Sequence, residues 1–276
     1  MMAGAGGLAT ARAARANRVP SPRMELLSPE TASTFLLAFA RVGTLVMLLP
    51  GIGEQLISPR VRLAFAVLLT IVVYPAVSPL VAPENGLPGT PTVALLLGEI
   101  LVGLILGLAV RMVLGALQTA GTIIAQQMGL GFAMTVDPTM GGQQTAVGNF
   151  LSLLAITLIF ATDLHHLAIA AVRASYDMLP PGGLPETGDV ARLGIEAVGR
   201  GFALAVQISA PFIVFAILFN LGLGVLSRLM PQLQVFFLAL PATILGGFLV
   251  LLVVLGVMMS VFLGDLRAFL SLISGL

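Results

Sequence analysis

VALLLGEILVGLILGLAV, residues 93–110, is apolar from end to end except for one carboxylate, Glu99. A helix needs about 20 such residues to cross the hydrocarbon of a bilayer. The pattern is expected to continue as a helix beyond Arg111 toward Gln127. Read outward, the chain carries five more apolar runs: Ala32–Leu49, Leu63–Leu80, Val147–Thr162, Gly201–Val225 and Val235–Leu263. The expected fold is therefore all-α, a polytopic membrane-type protein of about six apolar helical segments. Pro211 and Pro241 predict kinks in the last two runs. The second run is expected to fray into a loop carrying Pro75, Pro79, Pro83, Pro88 and Pro91.

Composition supports the membrane class. The chain is 58% hydrophobic and 9% charged, with a mean hydropathy of +1.08. Soluble domains carry roughly 25% charged residues. All 13 basic residues are Arg, scattered and without a basic patch, so nothing points to nucleic acid. Zero Cys excludes a disulfide framework or a thiolate metal site. Motifs for nucleotide or peptide hydrolysis are absent: no G-x-x-x-x-G-K-[ST], H-E-x-x-H or G-x-S-x-G occurs. The chain reads as a non-enzyme with no cofactor.

Residues 1–23 hold Arg12, Arg15, Arg18 and Arg23 and no acid. They read as a disordered N-terminal extension, or as the product of an upstream start codon with the true start at Met24. PPGGLPETG, residues 180–188, is the best internal boundary and divides 24–276 into halves of roughly 24–188 and 189–276. The positive-inside rule sets no orientation. Arg60, Arg62, Arg111 and Arg228 balance Arg173, Arg192, Arg200 and Arg267 across the expected spans.

Charges inside apolar runs cost about 2.5–3.5 kcal/mol each on insertion scales and need partners. Arg41 lies in the first run and Glu99 in the third, and these helices run parallel in an alternating bundle. Their depths differ by only about 4–5 Å at 1.5 Å per residue, so a buried ion pair between them is expected. His165-His166 does not read as a metal site, because neighbouring positions on one helix diverge by about 100°. The pair reads instead as a helix end near water. Gly103 and Gly107 form a G-x-x-x-G match that allows close helix approach. Asn220, near the end of the fifth run, and Arg228 and Gln232 beyond it offer several hydrogen bonds and are expected to serve assembly with a neighbouring subunit.

GLGFAMTVDPTMGG, residues 129–142, separates two apolar helical runs yet is itself apolar, glycine-rich and almost uncharged. Irregular backbone cannot face lipid, where each unpaired polar group costs several kcal/mol. It belongs inside protein or along a pore wall. Glycines permit the turns, Pro138 biases Asp137 away from helix, and Phe132, Met134, Val136 and Met140 supply deformable apolar bulk. Gly131–Met140 is thus expected to be the plug of a channel.

Four patches carry a family resemblance: GEQLISPRVR (53–62); QQMGLGFAMTVDP (126–138); DLHH (163–166) with Ser175 and LPPG (179–182); and NLGLGVLSRLMPQ (220–232) with Phe236. In order and spacing they resemble the FliR family of flagellar type III export-gate membrane proteins, from Met24 to the C-terminus. The resemblance implies a fused FliP-like and FliQ-like helical unit in the bacterial inner membrane, at the flagellar basal body. It implies one copy joined to several FliP and FliQ subunits, with FlhA and FlhB as further partners of the export apparatus. Unfolded flagellar proteins would be the cargo, driven by a separate ATPase and the proton motive force. It also implies that Gly131, Phe132, Met134, Val136, Asp137, Pro138 and Met140 belong to the pore plug, though this chain lacks an additional aromatic the family often has there. Two alternatives stand beside it. One is the export-gate subunit of a virulence injectisome; the other is a small-solute secondary transporter, against which the two halves show no matching polar interruptions.

Overall fold

The computed structural model describes residues 29–49, 53, 57–81, 93–131, 146–181, 187–229 and 235–274; among them there is no strand. The described residues form seven helices: α1 (Pro29–Leu48), α2 (Pro59–Val81), α3 (Val93–Gln127), α4 (Ala146–Ala161), α5 (Leu164–Met178), α6 (Thr187–Leu229) and α7 (Val235–Ser274). α1, α2, α3, α6 and α7 are long and apolar enough to cross a membrane. α4 and α5 meet the same criterion only as a pair, bent by 79° where they join. The protein is an all-α, polytopic membrane protein.

α3 is the hub. It packs on α1, on α4 and most extensively on α6, while α2 lies on the far side of α1 and α7 packs on α5 and α6. Small residues set these distances. A Cβ at Gly103 would stand 2.5 Å from the Arg41 carbonyl, and one at Gly107 would stand 2.8 Å from Leu48, so α3 can lie this close to α1 only with glycine there. Gly121 meets Gly148 backbone to backbone where α3 crosses α4. The interior is Val, Leu, Ala and Phe, including Val102, Leu117, Leu151, Ile208, Phe212 and Phe262. The exterior stays apolar as well: Leu68 and Val72 on α2, Leu218 and Leu221 on α6, and Leu252 and Val253 on α7 are all more than half exposed. Such faces suit lipid or other subunits, not water.

Three boundaries differ from the sequence expectation. α2 continues through Pro75 and Pro79 to Val81. A proline deletes one hydrogen bond, but in an apolar setting leaving the helix would strand more backbone groups than staying in it. α6 begins at Thr187, well before the apolar run at Gly201, so Arg192 and Arg200 are helical. α5 was not among the six apolar runs because it is amphipathic: Ala171, Val172, Ser175 and Tyr176 face inward while Arg173 and Asp177 face out. The helix passes through Pro211 in α6 and Pro241 in α7. The N-terminal extension, residues 1–23, lies outside the described residues.

Candidate functional site

The deepest polar feature joins three helices. Arg41 of α1 and Glu99 of α3 are 0% and 2% exposed. The Arg41 Nε donates to Glu99 Oε2 at 2.6 Å, and Nη2 donates to Oε1 at 3.1 Å. This is the planar, two-pronged match that guanidinium makes with carboxylate. The remaining N–H groups turn to α5. Nη1 donates to the Ser175 carbonyl at 3.0 Å and to its Oγ at 3.4 Å, and Nη2 donates to the Leu179 carbonyl at 2.8 Å. Every guanidinium N–H therefore has an acceptor. The Tyr176 ring closes one face of the group, 3.9 Å from Cζ, and its hydroxyl donates to the Ala38 carbonyl at 3.5 Å.

Sequence order explains how the cluster forms. Arg41 and Gly103 meet because the glycine admits the α1 backbone, and Glu99 lies one helical turn before Gly103 on the same face of α3. Ser175 and Leu179 sit at the C-terminal end of α5, whose carbonyls carry the negative end of the helix dipole, and the Ser175 carbonyl also accepts from the Leu179 N–H at 2.9 Å. Arg41 thus caps α5 from a different helix. Sequence reasoning singled out Arg41 and Glu99 but assigned no role to Ser175, Tyr176 or Leu179. The signal was present, since Ser175 and Leu179 both belong to the third family-like patch.

The other singled-out residues are dispersed. Asn220 and Arg228 lie on the exposed C-terminal half of α6, and Gln232 is outside the described residues. Gly131, the first residue of the expected plug, is described; Phe132, Met134, Val136, Asp137, Pro138 and Met140 lie outside the described residues. The way into that segment is well defined. Gly129 has a φ of +78°, the Leu130 N–H bonds to the Ala125 carbonyl at 2.9 Å, and the Gly129 N–H bonds to the Gln126 carbonyl at 3.1 Å. This pair of bonds around a left-handed glycine is the Schellman ending of a helix, and it terminates α3.

Asp163, with a φ of 58°, turns the chain between α4 and α5. His165 and His166 both lie in the first turn of α5. Their rings stand 4.1 Å apart, and the ligand atoms of Asp163, His165 and His166 lie within 4.8 Å of one another. Asp163 and His166 are largely solvent-exposed, as a helix end near water would be. A second ion pair, Arg200 of α6 with Asp265 of α7, has Nε at 3.0 Å from both carboxylate oxygens and is about one quarter exposed.

These features define a multi-pass helical membrane protein whose interior charges are paired and whose apolar faces are left open. Residues 32–269 match the family described as Bacterial export proteins, family 1. The chain is 44% identical over 215 residues to the flagellar biosynthetic protein FliR of Caulobacter vibrioides, covering 76% of this chain and 84% of that one. With FliR of Bacillus subtilis the identity is 30% over 230 residues, covering 82% and 88%. The Yop proteins translocation protein T of Yersinia pestis is 28% identical over 216 residues, covering 75% and 80%. The chain belongs to the FliR family of flagellar export proteins.

Proposed function

We propose that this chain is a subunit of the flagellar type III export gate in the bacterial inner membrane, forming with FliP and FliQ a channel for unfolded flagellar proteins. The observation that carries the proposal is the family match, which runs through nearly the whole helical bundle. FliR of Caulobacter vibrioides, at 44% identity, is much nearer to the chain than the Yersinia translocation protein at 28%, which favours flagellar over injectisome export. The open apolar faces of α6 and α7 offer surfaces for neighbouring subunits. FlhA and FlhB are further partners in this proposal, and chemistry is left to other components.

In this proposal the Arg41–Glu99 cluster is a clamp that fixes α5 against α1 and α3. Gly131–Met140 is the plug, a deformable apolar constriction that blocks ions by dewetting and yields to a passing chain without breaking specific bonds. What supports this placement is the sharp α3 ending at Gly129, which releases an apolar segment between two helices held in contact at Gly121 and Gly148. Asn220, Arg228 and Gln232 serve assembly, so Arg228→Ala should lower recovery of the complex. Deleting residues 132–136 tests the plug. The complex should still assemble and should leak ions in vesicles. An assembled, tightly sealed deletion complex would contradict the plug, and loss of assembly would make the segment part of the packing core.

A further inference from the structure

Arg111 is set apart from the two ion pairs that tie the apolar helices together. Arg41, Glu99, Arg200 and Asp265 are paired, whereas Arg111 on α3 is exposed and makes no hydrogen bond or ion pair with any described residue. It stands at a cavity of about 210 Å³ between α1, α3 and α4. Leu48, Leu114 and Ile156 form apolar walls, and Gln118 and Ser152 line it with polar groups. The Gln118 Nε2 donates to Ser152 Oγ at 2.7 Å, which leaves the serine hydroxyl hydrogen available to a ligand.

The position of this cavity along the helices is informative. From Val93 to Val110 the run measures about 27 Å at 1.5 Å per residue, close to the ~30 Å hydrocarbon thickness. α1 ends at Leu48, which packs on Gly107 one turn before Arg111 and lines the same cavity. Arg62 reaches the Gly53 carbonyl through Nη1 at 3.4 Å, and Gly53 is part of the cavity wall, so a second guanidinium stands at the rim. Below Arg111 on the same face of α3, Leu108, Leu104 and Leu97 recur at helical spacing, and all three are exposed. A guanidinium at the top of an exposed apolar stripe matches an amphiphile with an anionic head and acyl chains. A free anion would have no use for the stripe.

We propose that this cavity binds the phosphate headgroup of an anionic membrane phospholipid, with Arg111 as the anchor and the acyl chains lying along Leu108, Leu104 and Leu97. Guanidinium holds phosphate through two parallel hydrogen bonds, and basic pockets between membrane helices are suited to anionic headgroups. The site does not depend on the export-gate role.

The test uses the tagged full-length chain with its co-purifying subunits, extracted from membranes in mild detergent, with bound phospholipid quantified per mole of chain. The wild type should retain anionic phospholipid, and Arg111→Gln should retain about fivefold less, the effect of one basic residue at an anionic surface. Gly115→Leu is the steric counterpart. Gly115 lines the cavity and has open space beside it, so the leucine fills the site while the charge remains. Its lipid content should also fall, and it carries the test whether or not Arg111→Gln accumulates. Arg173→Gln, on exposed α5 surface, should keep the wild-type content. After delipidation, vesicles of phosphatidylglycerol should restore thermal stability and phosphatidylcholine vesicles should not. Undiminished lipid in Gly115→Leu would overturn the proposal. So would recovery with inorganic phosphate alone, which would make this a free-anion site. Unchanged lipid with loss of a subunit in Arg111→Gln would overturn it too, by assigning the cavity to a partner's carboxylate.

Discussion

Arg41–Glu99 and Arg200–Asp265 are both arginine–carboxylate pairs that tie helices together, yet their surroundings differ sharply. The first pair joins α1 to α3 and recruits the end of α5, and its side chains are 1% and 3% exposed. The second joins only α6 to α7, and its side chains are 26% and 24% exposed. Desolvation of a buried pair can cancel its own attraction, so its presence is weak evidence of net stabilisation, whereas removing one partner is severe. A partly exposed pair keeps access to polar surroundings and tolerates loss. The contrast indicates that the first cluster sets helix positions and the second reinforces a hairpin already held by apolar packing, with Phe269 beside Arg200 at 5.6 Å.

The largest expected effect comes from splitting the buried pair. Arg41→Met or Glu99→Leu leaves one buried charge unpaired and should cost about 3–5 kcal/mol, read as lost accumulation and lower thermal stability of the purified protein. The double replacement should cost clearly less than the sum of the two. Strict additivity would mean that the two side chains do not act on each other.

Gly103→Val should rank next. Its Cβ would meet the Arg41 carbonyl at 2.5 Å, forcing α3 away from α1 and stretching the ion pair. Overpacking of this kind costs about 1–3 kcal/mol. The loss should shrink when Arg41 and Glu99 are already replaced, because no pair remains to be stretched. An undiminished loss would assign the whole cost to packing.

Arg200→Met should cost about 1–2 kcal/mol, as expected for a charged hydrogen bond reduced by its exposure. An effect as large as that of Arg41→Met would erase the distinction between the two regions. The smallest effect belongs to Arg173→Gln, which loses an exposed i,i+4 contact to Asp177 at 3.5 Å. The cost should be about 0.3–0.5 kcal/mol and should vanish in high salt.

The pairing of Arg41 with Glu99 was readable from sequence because both charges interrupt long apolar runs at nearly equal depth, and a charge in such a run requires a partner. The carbonyls of Ser175 and Leu179 were not readable, because backbone acceptors have no sequence signature and α5 lacks the hydropathy of a span. The start of α6 was hidden because Arg192 and Arg200 interrupt the hydropathy ahead of Gly201, while packing of α6 on α3 carries the helix through them. The break at Asp163 was equally hidden. A non-glycine residue with positive φ is uncommon, so residue type alone does not mark Asp163 as the turn. Gly129 was legible as a turn from its neighbours, and its left-handed φ gives that expectation a geometry.

The central claim is that the chain works as part of a multi-subunit export gate rather than alone. Its most direct measurement is purification of the tagged chain from native membranes in mild detergent, with the associated subunits identified and quantified by mass spectrometry. The account predicts a stable complex containing FliP and FliQ, each in excess over the single tagged chain. A chain that purifies without them and moves a small solute across proteoliposomes would contradict it.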